Sequence, residues 1–301
     1  MKIEYRIKKD DIGKKLKDIL KQRLYVSSIL LKNLRENKCI YVNDKNEYTN
    51  YIVKEDDKIC IDIQDFSKTR FKDKFNLVNA PLDVIYEDEY LLIINKPANM
   101  PVHPSSNNYE NTLSNIVANY LEKENISNIH IVTRLDHNTT GICIFAKNAY
   151  IQELFVRKKD KIDLKKYYTA IVDGIVEKDY GVITKNIARK KDTIILREVN
   201  NSGDFAKTEY FVKKRYYDKN YTLVSILLHT GRTHQIRVHF SDMGHVLLGD
   251  ELYGNEYGKK DILKYIKRQA LHCEKITFHH PITNNKIELT SPIPDDMAKL
   301  L

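Results

Sequence analysis

Three stretches in the second half of the chain, KKYYTAIVDG (165–174), AKTEYFVKKRYY (206–217) and YTLVSILLHTG (221–231), are dense in Tyr, Val, Ile and Thr. Branched and aromatic side chains suit a pleated, half-buried surface, so these stretches predict strands. Upstream, DVIYEDEYLLIINKP (83–97) predicts a strand, an acidic turn and a second strand. Leu113, Ile116, Val117, Tyr120 and Leu121 recur at helical spacing, and IHIVTRLD (129–136) and GICIFAKN (141–148) flank a polar turn. Strands with a few interspersed helices predict an α+β domain whose sheet is mixed, mostly antiparallel and flanked by helices. No tandem repeat or low-complexity segment interrupts it.

Residues 12–36 predict two short amphipathic helices, with Ile12, Leu16, Ile19 and Leu20 on one apolar face and Leu30, Leu31 and Leu34 following the Ser27-Ser28 pair that can cap the second. CIYV (39–42) and KICIDI (58–63) predict strands about a polar turn. Residues 64–80 carry polar and charged residues without periodicity and are expected to link a unit at 1–63 to a larger one at 81–301. The formal net charge of +9 is spread along the chain and favours a polyanionic partner, nucleic acid first, although a merely solubilising surface would look the same without supporting motifs. Cys39, Cys60, Cys143 and Cys273 are isolated from one another, which is neither zinc-site nor redox spacing. With no apolar run of spanning length and no signal-like N-terminus, the expectation is a cytoplasmic monomer with no membrane contact.

The stretch TRLDHNTTGICIFAKN (133–148) places the carboxylate of Asp136 after an apolar run, before a polar turn and Gly141, at the rim of a sheet. An aspartate in a turn ordinarily serves as a hydrogen-bonding cap. This one, however, sits in a segment that resembles the RLDxxTxG signature of the RluA/RluD-type pseudouridine synthases. KKYYTAIVDG resembles that family's KxYxAxVxG run, and LLHTGRTHQIRVHFSDMGHVLLGDELYG (227–254) resembles its TGRTHQIRxH and GHPhhGDxxYG blocks. NKPANMPVHPS (95–105) and RQALHCEKITFHHP (268–281) agree with two more, with Asn99 where Gly is usual. Thr133 stands where the family often carries His, and Val246 replaces a usual proline.

The resemblance implies an isomerase that breaks the bond between ribose and uracil in RNA, turns the base and rejoins it through a ring carbon. Asp136 would be the catalytic carboxylate, adding to the ribose carbon or removing a neighbouring ribose proton; the sequence leaves both open. Tyr168 would stack on the flipped uracil and take the ring-carbon proton, with Tyr167 the alternative if the register slips by one. Arg237 would pair with Asp136 and keep it ionised. Arg134 would fill the gap left by the flipped base. Arg232, His234 and Gln235 would shape the pocket or meet phosphate, and Ile236 would line it or simply be core. No metal or cofactor is implied, and His103, His239, His245 and His272 are expected to be structural. The order of pieces at 10–63 resembles the S-four-type RNA-binding domain, which puts Lys14, Lys15, Lys32 and Arg35 against RNA. Large-subunit ribosomal RNA is the expected substrate, with transfer RNA, or a non-catalytic RNA-binding role on the same fold, as alternatives.

Overall fold

The computed structural model describes residues 1–64, 66, 76–104, 110–123, 126, 128–254 and 265–301. Most of the expected linker, residues 65 and 67–75, lies outside the described residues.

The first 63 residues form an antiparallel sheet of β1 (Lys2–Arg6), β2 (Ile40–Val42), β3 (Lys45–Asn46) and β4 (Lys58–Asp62) in the order β1-β4-β2-β3. Helices α1 (Leu16–Gln22) and α2 (Ser28–Glu36) accompany it. Ser27 caps α2, its hydroxyl accepting the Leu30 N–H at 3.1 Å, which satisfies one donor that the first turn cannot. Leu16, Ile19, Leu20 and Leu34 bury completely with Ile59 and Ile61. Ile12 departs from the expected apolar face and is 43% exposed, because it follows a one-turn helix at Lys9–Asp11 and lies outside α1. Strand β1 was not foreseen; its KIEYR alternates exposed and half-buried positions on a sheet edge.

The larger sheet contains β5 (Val84–Glu87), β6 (Leu91–Lys96), β7 (His130–Ile131), β8 (Thr140–Ala146), β9 (Lys165–Asp173) and β10 (Tyr180–Thr184). A separate two-stranded ribbon, β11 (Ile187–Arg189) and β12 (Arg197–Val199), precedes its remaining members, β13 (Lys207–Tyr216), β14 (Tyr221–Leu228), β15 (Leu271–His279) and β16 (Lys286–Thr290). The order is β10-β13-β14-β9-β15-β8-β6-β5, with β16 beside β15 and β7 beside β8. The helices are α3 (Leu113–Glu122), α4 (Ala149–Arg157), α5 (Lys159–Ile162), α6 (Gln235–Asp242) and α7 (Asp295–Ala298). Strands β6 and β8 bury both faces. Ile93, Ile142 and Ile144 join one core, while Leu92, Ile94, Cys143 and Phe145 pack with Leu113, Val117 and Leu121 of α3 in another.

Every pairing in this sheet is antiparallel except that of β8 with β15, which meet only at Thr140 with His272 and Gly141 with Cys273. Beyond those pairs the strands part, β8 taking β7 on the vacated edge and β15 taking β16. Gly141 makes the junction possible: its φ is +108°, and a Cβ there would lie 2.3 Å from the Cys273 carbonyl oxygen. The sheet therefore forks just after the loop that carries Asp136. The two halves of the chain also touch, through the Tyr150 hydroxyl donating to the Leu24 carbonyl at 2.8 Å and the Lys158 ammonium 5.2 Å above the Tyr25 ring. No helix among the described residues is long and apolar enough to cross a membrane.

Candidate active site

The loop 136–139 is held by side chains from distant parts of the chain. Lys96 is completely buried, and its ammonium donates to the carbonyls of Pro97 (2.8 Å), Met100 (2.7 Å) and His137 (2.9 Å), three acceptors for three protons. Burial pulls its pKa down to about 8. Arg268 donates to the Asn138 carbonyl at 3.2 Å while gripped by both carboxylate oxygens of Asp296 in α7 at 2.7 and 2.8 Å. Gln269 reaches the Thr139 hydroxyl at 3.2 Å. Asn99 holds φ at +55°, a conformation that asparagine tolerates better than most residues and that suits the glycine of the family pattern. Thr133, where histidine is usual, uses its hydroxyl to accept the Ile144 N–H at 2.9 Å.

Arg237, from the first turn of α6, meets two carboxylates. Its Nε and Nη2 form a fork on Asp250 at 2.7 and 2.8 Å, and its Nη1 reaches Asp136 Oδ2 at 3.3 Å. The Arg237 side chain is 7% exposed, Asp250 1% and Asp136 25%, so Asp250 anchors the cation from behind and Asp136 meets it at the cleft. Burial opposes the charge, but Asp250 and Asp136 together more than offset it and raise the Arg237 pKa. Tyr253 lies under the guanidinium, ring centroid 5.1 Å away, and its hydroxyl pairs with His234 Nδ1 at 2.9 Å while accepting the Arg197 N–H at 3.0 Å. Burial lowers the His234 pKa, so that imidazole is neutral at pH 7.

These groups border a cleft of about 760 Å³ beside the fork of the sheet, lined among others by Arg134, Asp136, Lys166, Tyr168, His234 and Ile236. Tyr168 is 5% exposed and faces the cleft; it stands opposite Cys273 across the paired strands, and burial pushes its pKa well above the ordinary phenol value. Tyr167 points to the other side of the strand, its ring 5.8 Å from the Lys275 ammonium. Arg232 also borders the cleft and is tied to the Phe205 carbonyl at 3.0 Å and to Asp204 at 3.3 Å. Gln235 is spent internally: it accepts from the Thr230 hydroxyl and the Arg232 N–H and donates to the Lys207 carbonyl and Thr208, so it braces the loop. Ile236 satisfies both sequence readings, 4% exposed and part of the cleft wall.

Among the histidines, His239, His245 and His272 make interior hydrogen bonds to Thr208, the Asp173 carbonyl and Thr140, whereas His103 stands exposed in the cleft lining. Lys14, Lys15, Lys32 and Arg35 do not line the cleft; Lys14 pairs with Asp11 at 3.3 Å and Lys32 with Glu36 at 3.9 Å. Lys96, Lys166, Asp250, Tyr253 and Arg268 were not singled out from the sequence. The family-like blocks contain all five, yet nothing local distinguishes a buried cation that braces a loop from one that faces solvent.

Residues 90–242 match the family model described as RNA pseudouridylate synthase. The chain is 34% identical over 299 residues to the uncharacterized RNA pseudouridine synthase YhcT of Bacillus subtilis, an alignment spanning 99% of this chain and 96% of that protein. It is 36% identical over 253 residues to ribosomal large subunit pseudouridine synthase D of Haemophilus influenzae, spanning 81% of this chain and 75% of the relative. Among solved structures, human RNA pseudouridylate synthase domain containing 1 superposes with a TM-score of 0.56 at 22% identity, over 70% of this chain and 83% of that one, a likeness of fold.

Proposed function

Because the chain belongs to the RNA pseudouridylate synthase family, whose members isomerise uridine in RNA to pseudouridine, we propose that the cleft at the fork of the sheet seats one flipped uridine and that Asp136 does the chemistry. The observation that carries this reading is the chain of charges Asp250–Arg237–Asp136, which delivers one partly exposed carboxylate, oriented by a buried guanidinium, into a cleft faced by Tyr168. A carboxylate so placed can add to the ribose carbon or take a neighbouring ribose proton while uracil departs as an anion; neither route calls for a metal or a redox cofactor. Arg237, fixed by Asp250, stabilises the carboxylate as charge shifts.

Tyr168 supplies a ring on which the freed uracil can turn. Its hydroxyl stays protonated in the resting cleft, so it accepts the ring-carbon proton only as its own proton passes to solvent through the open cleft. Arg134, exposed at the cleft mouth, occupies the space vacated in the RNA stack, where a planar cation offsets part of the few kcal/mol that flipping costs. The unit at 1–63 acts as an RNA-binding domain of S-four type through Lys14, Lys15, Lys32 and Arg35, and 81–301 as the catalytic domain. The likeness to the Haemophilus influenzae large-subunit enzyme favours large-subunit ribosomal RNA as substrate.

Transcripts of 23S ribosomal RNA and of transfer RNA, carrying tritium on uridine carbon 5, provide the test without added metal or nucleotide. Release from ribosomal RNA by the wild type and none by Asp136→Ala is expected. Release from transfer RNA alone would reassign the substrate, and release undiminished in Asp136→Ala would remove Asp136 from the chemistry.

A further inference from the structure

Lys166 sits two residues before Tyr168 on β9, so the two side chains leave the same face of the strand, and both line the cleft. Of the other cations there, Arg237 has Asp250 and Asp136, Arg232 has Asp204, and Arg134 stands exposed to solvent at the mouth. The Lys166 ammonium makes no hydrogen bond or ion pair among the described residues. Its ammonium stands beside Gly231, where a Cβ would lie 3.5 Å from Nζ, and the acid closest to it in effect is the Cys273 thiol, which burial pushes up to about 12 and keeps uncharged. A half-buried cation without a counter-charge is costly to maintain, and burial accordingly lowers the Lys166 pKa. An anion arriving with the substrate would offset that cost, and RNA brings one phosphate with every nucleotide.

We propose that Lys166 forms a phosphate subsite, binding the backbone phosphodiester on one side of the flipped uridine. This rests on the reading of the cleft as the seat of that uridine. The subsite explains how a pocket built for a neutral base admits uridine within a strand in preference to the free nucleoside. It separates two tasks within one cleft: Asp136 and Tyr168 face sugar and base, and Lys166 fixes the chain that carries them.

The test is calorimetric titration of the full-length protein with uridine, uridine 5′-monophosphate and uridine 3′-monophosphate at low salt. In the wild type at least one monophosphate should bind roughly tenfold tighter than uridine, the scale of one charge-assisted hydrogen bond. Lys166→Met should erase that gain and leave uridine affinity unchanged, and Lys166→Arg should keep most of it. With 23S ribosomal RNA, Lys166→Met should also reduce the slope of log affinity against log salt by about one. Equal binding of uridine and both monophosphates by the wild type, or a Lys166→Met loss that is the same for uridine as for the monophosphates, would overturn the proposal. Because the readout is binding, it is separable from the seat itself: monophosphate binding that persists while Asp136→Ala releases tritium normally would sink the active-site reading and leave the phosphate subsite standing.

Discussion

The cations of the first 63 residues and those of the cleft do opposite things with the same charge. Lys32 and Arg35 ride on the outer face of α2 in water, the former loosely paired with Glu36 at 3.9 Å. Lys96, Arg237 and Arg268 are almost entirely removed from solvent and each is matched to several oxygens. An exposed ion pair contributes little to stability, whereas breaking a buried one strands a charge where water cannot reach it. Where the first unit meets RNA as proposed, its positive charge would add affinity that any RNA sequence shares, while the buried cations Lys96, Arg237 and Arg268 fix geometry. The first unit also contains buried charge, including Asp11, a carboxylate tied to Tyr5 and Arg23.

Substitutions on either side of this contrast should behave differently. Asp136→Ala should lower tritium release to background, a loss of at least roughly 10²- to 10⁴-fold, while leaving RNA affinity nearly unchanged. A parallel collapse of binding would mean that the carboxylate holds RNA rather than acting on it. Asp250→Ala should cost about 3–5 kcal/mol in urea unfolding, because Arg237 is then buried with only the 3.3 Å contact to Asp136, and it should depress activity as well; a cost near zero would show the guanidinium relaxing into solvent.

The next effect depends on pH. Burial alone would raise the Asp11 carboxyl, but hydrogen bonds from Arg23, Tyr5 and Lys14 overcome it and hold the pKa at about 2, against 3.8 for an ordinary aspartate. The folded value is the lower one, so the stabilisation is fully present above about pH 4 and disappears as pH falls through about 2, a loss of about 2 kcal/mol. Acid titrations followed by circular dichroism should show this limb in the wild type and not in Asp11→Asn.

Replacing Lys14, Lys15, Lys32 and Arg35 together by Gln should reduce the salt slope of RNA binding by about 0.9 for every phosphate that is no longer neutralised, with turnover of bound RNA unaltered. Because Tyr150 bonds to Leu24 across the two halves, this exchange is a cleaner probe than deletion of residues 1–63, which would also uncover apolar surface. The smallest change is expected from Glu36→Ala, within about 0.5 kcal/mol of wild type despite its ion pair with Lys32.

Much of the architecture was legible in the order of residues. Tyr-, Val- and Ile-rich stretches became β9, β13 and β14, and Ser27 opened α2 as its side-chain chemistry demands. Helix α6 was not foreseen, because Gln235, Arg237 and His239 are buried polar residues and erase the amphipathic pattern that announces a helix. Strand β15 escaped for a related reason: its partners change along its length, from β8 to β16 on one edge with β9 on the other, and only the assembled sheet defines them.

Local chemistry along the chain was enough to specify the class of fold, the family signature around Asp136, and that Tyr167 and Tyr168 leave opposite faces of one strand, since alternation is a local property; which of the two faces the cleft came from the family resemblance and was decided only by the assembled sheet. Packing in three dimensions was needed for Lys96 and Arg268, 41 and 130 residues from the carbonyls they hold, to brace one loop. It was needed also to set Asp250 behind Arg237 and to leave the Lys166 ammonium without a partner among the described residues. Electrostatic roles depend on which charges meet and how much water remains between them, and both are set only when distant segments pack together.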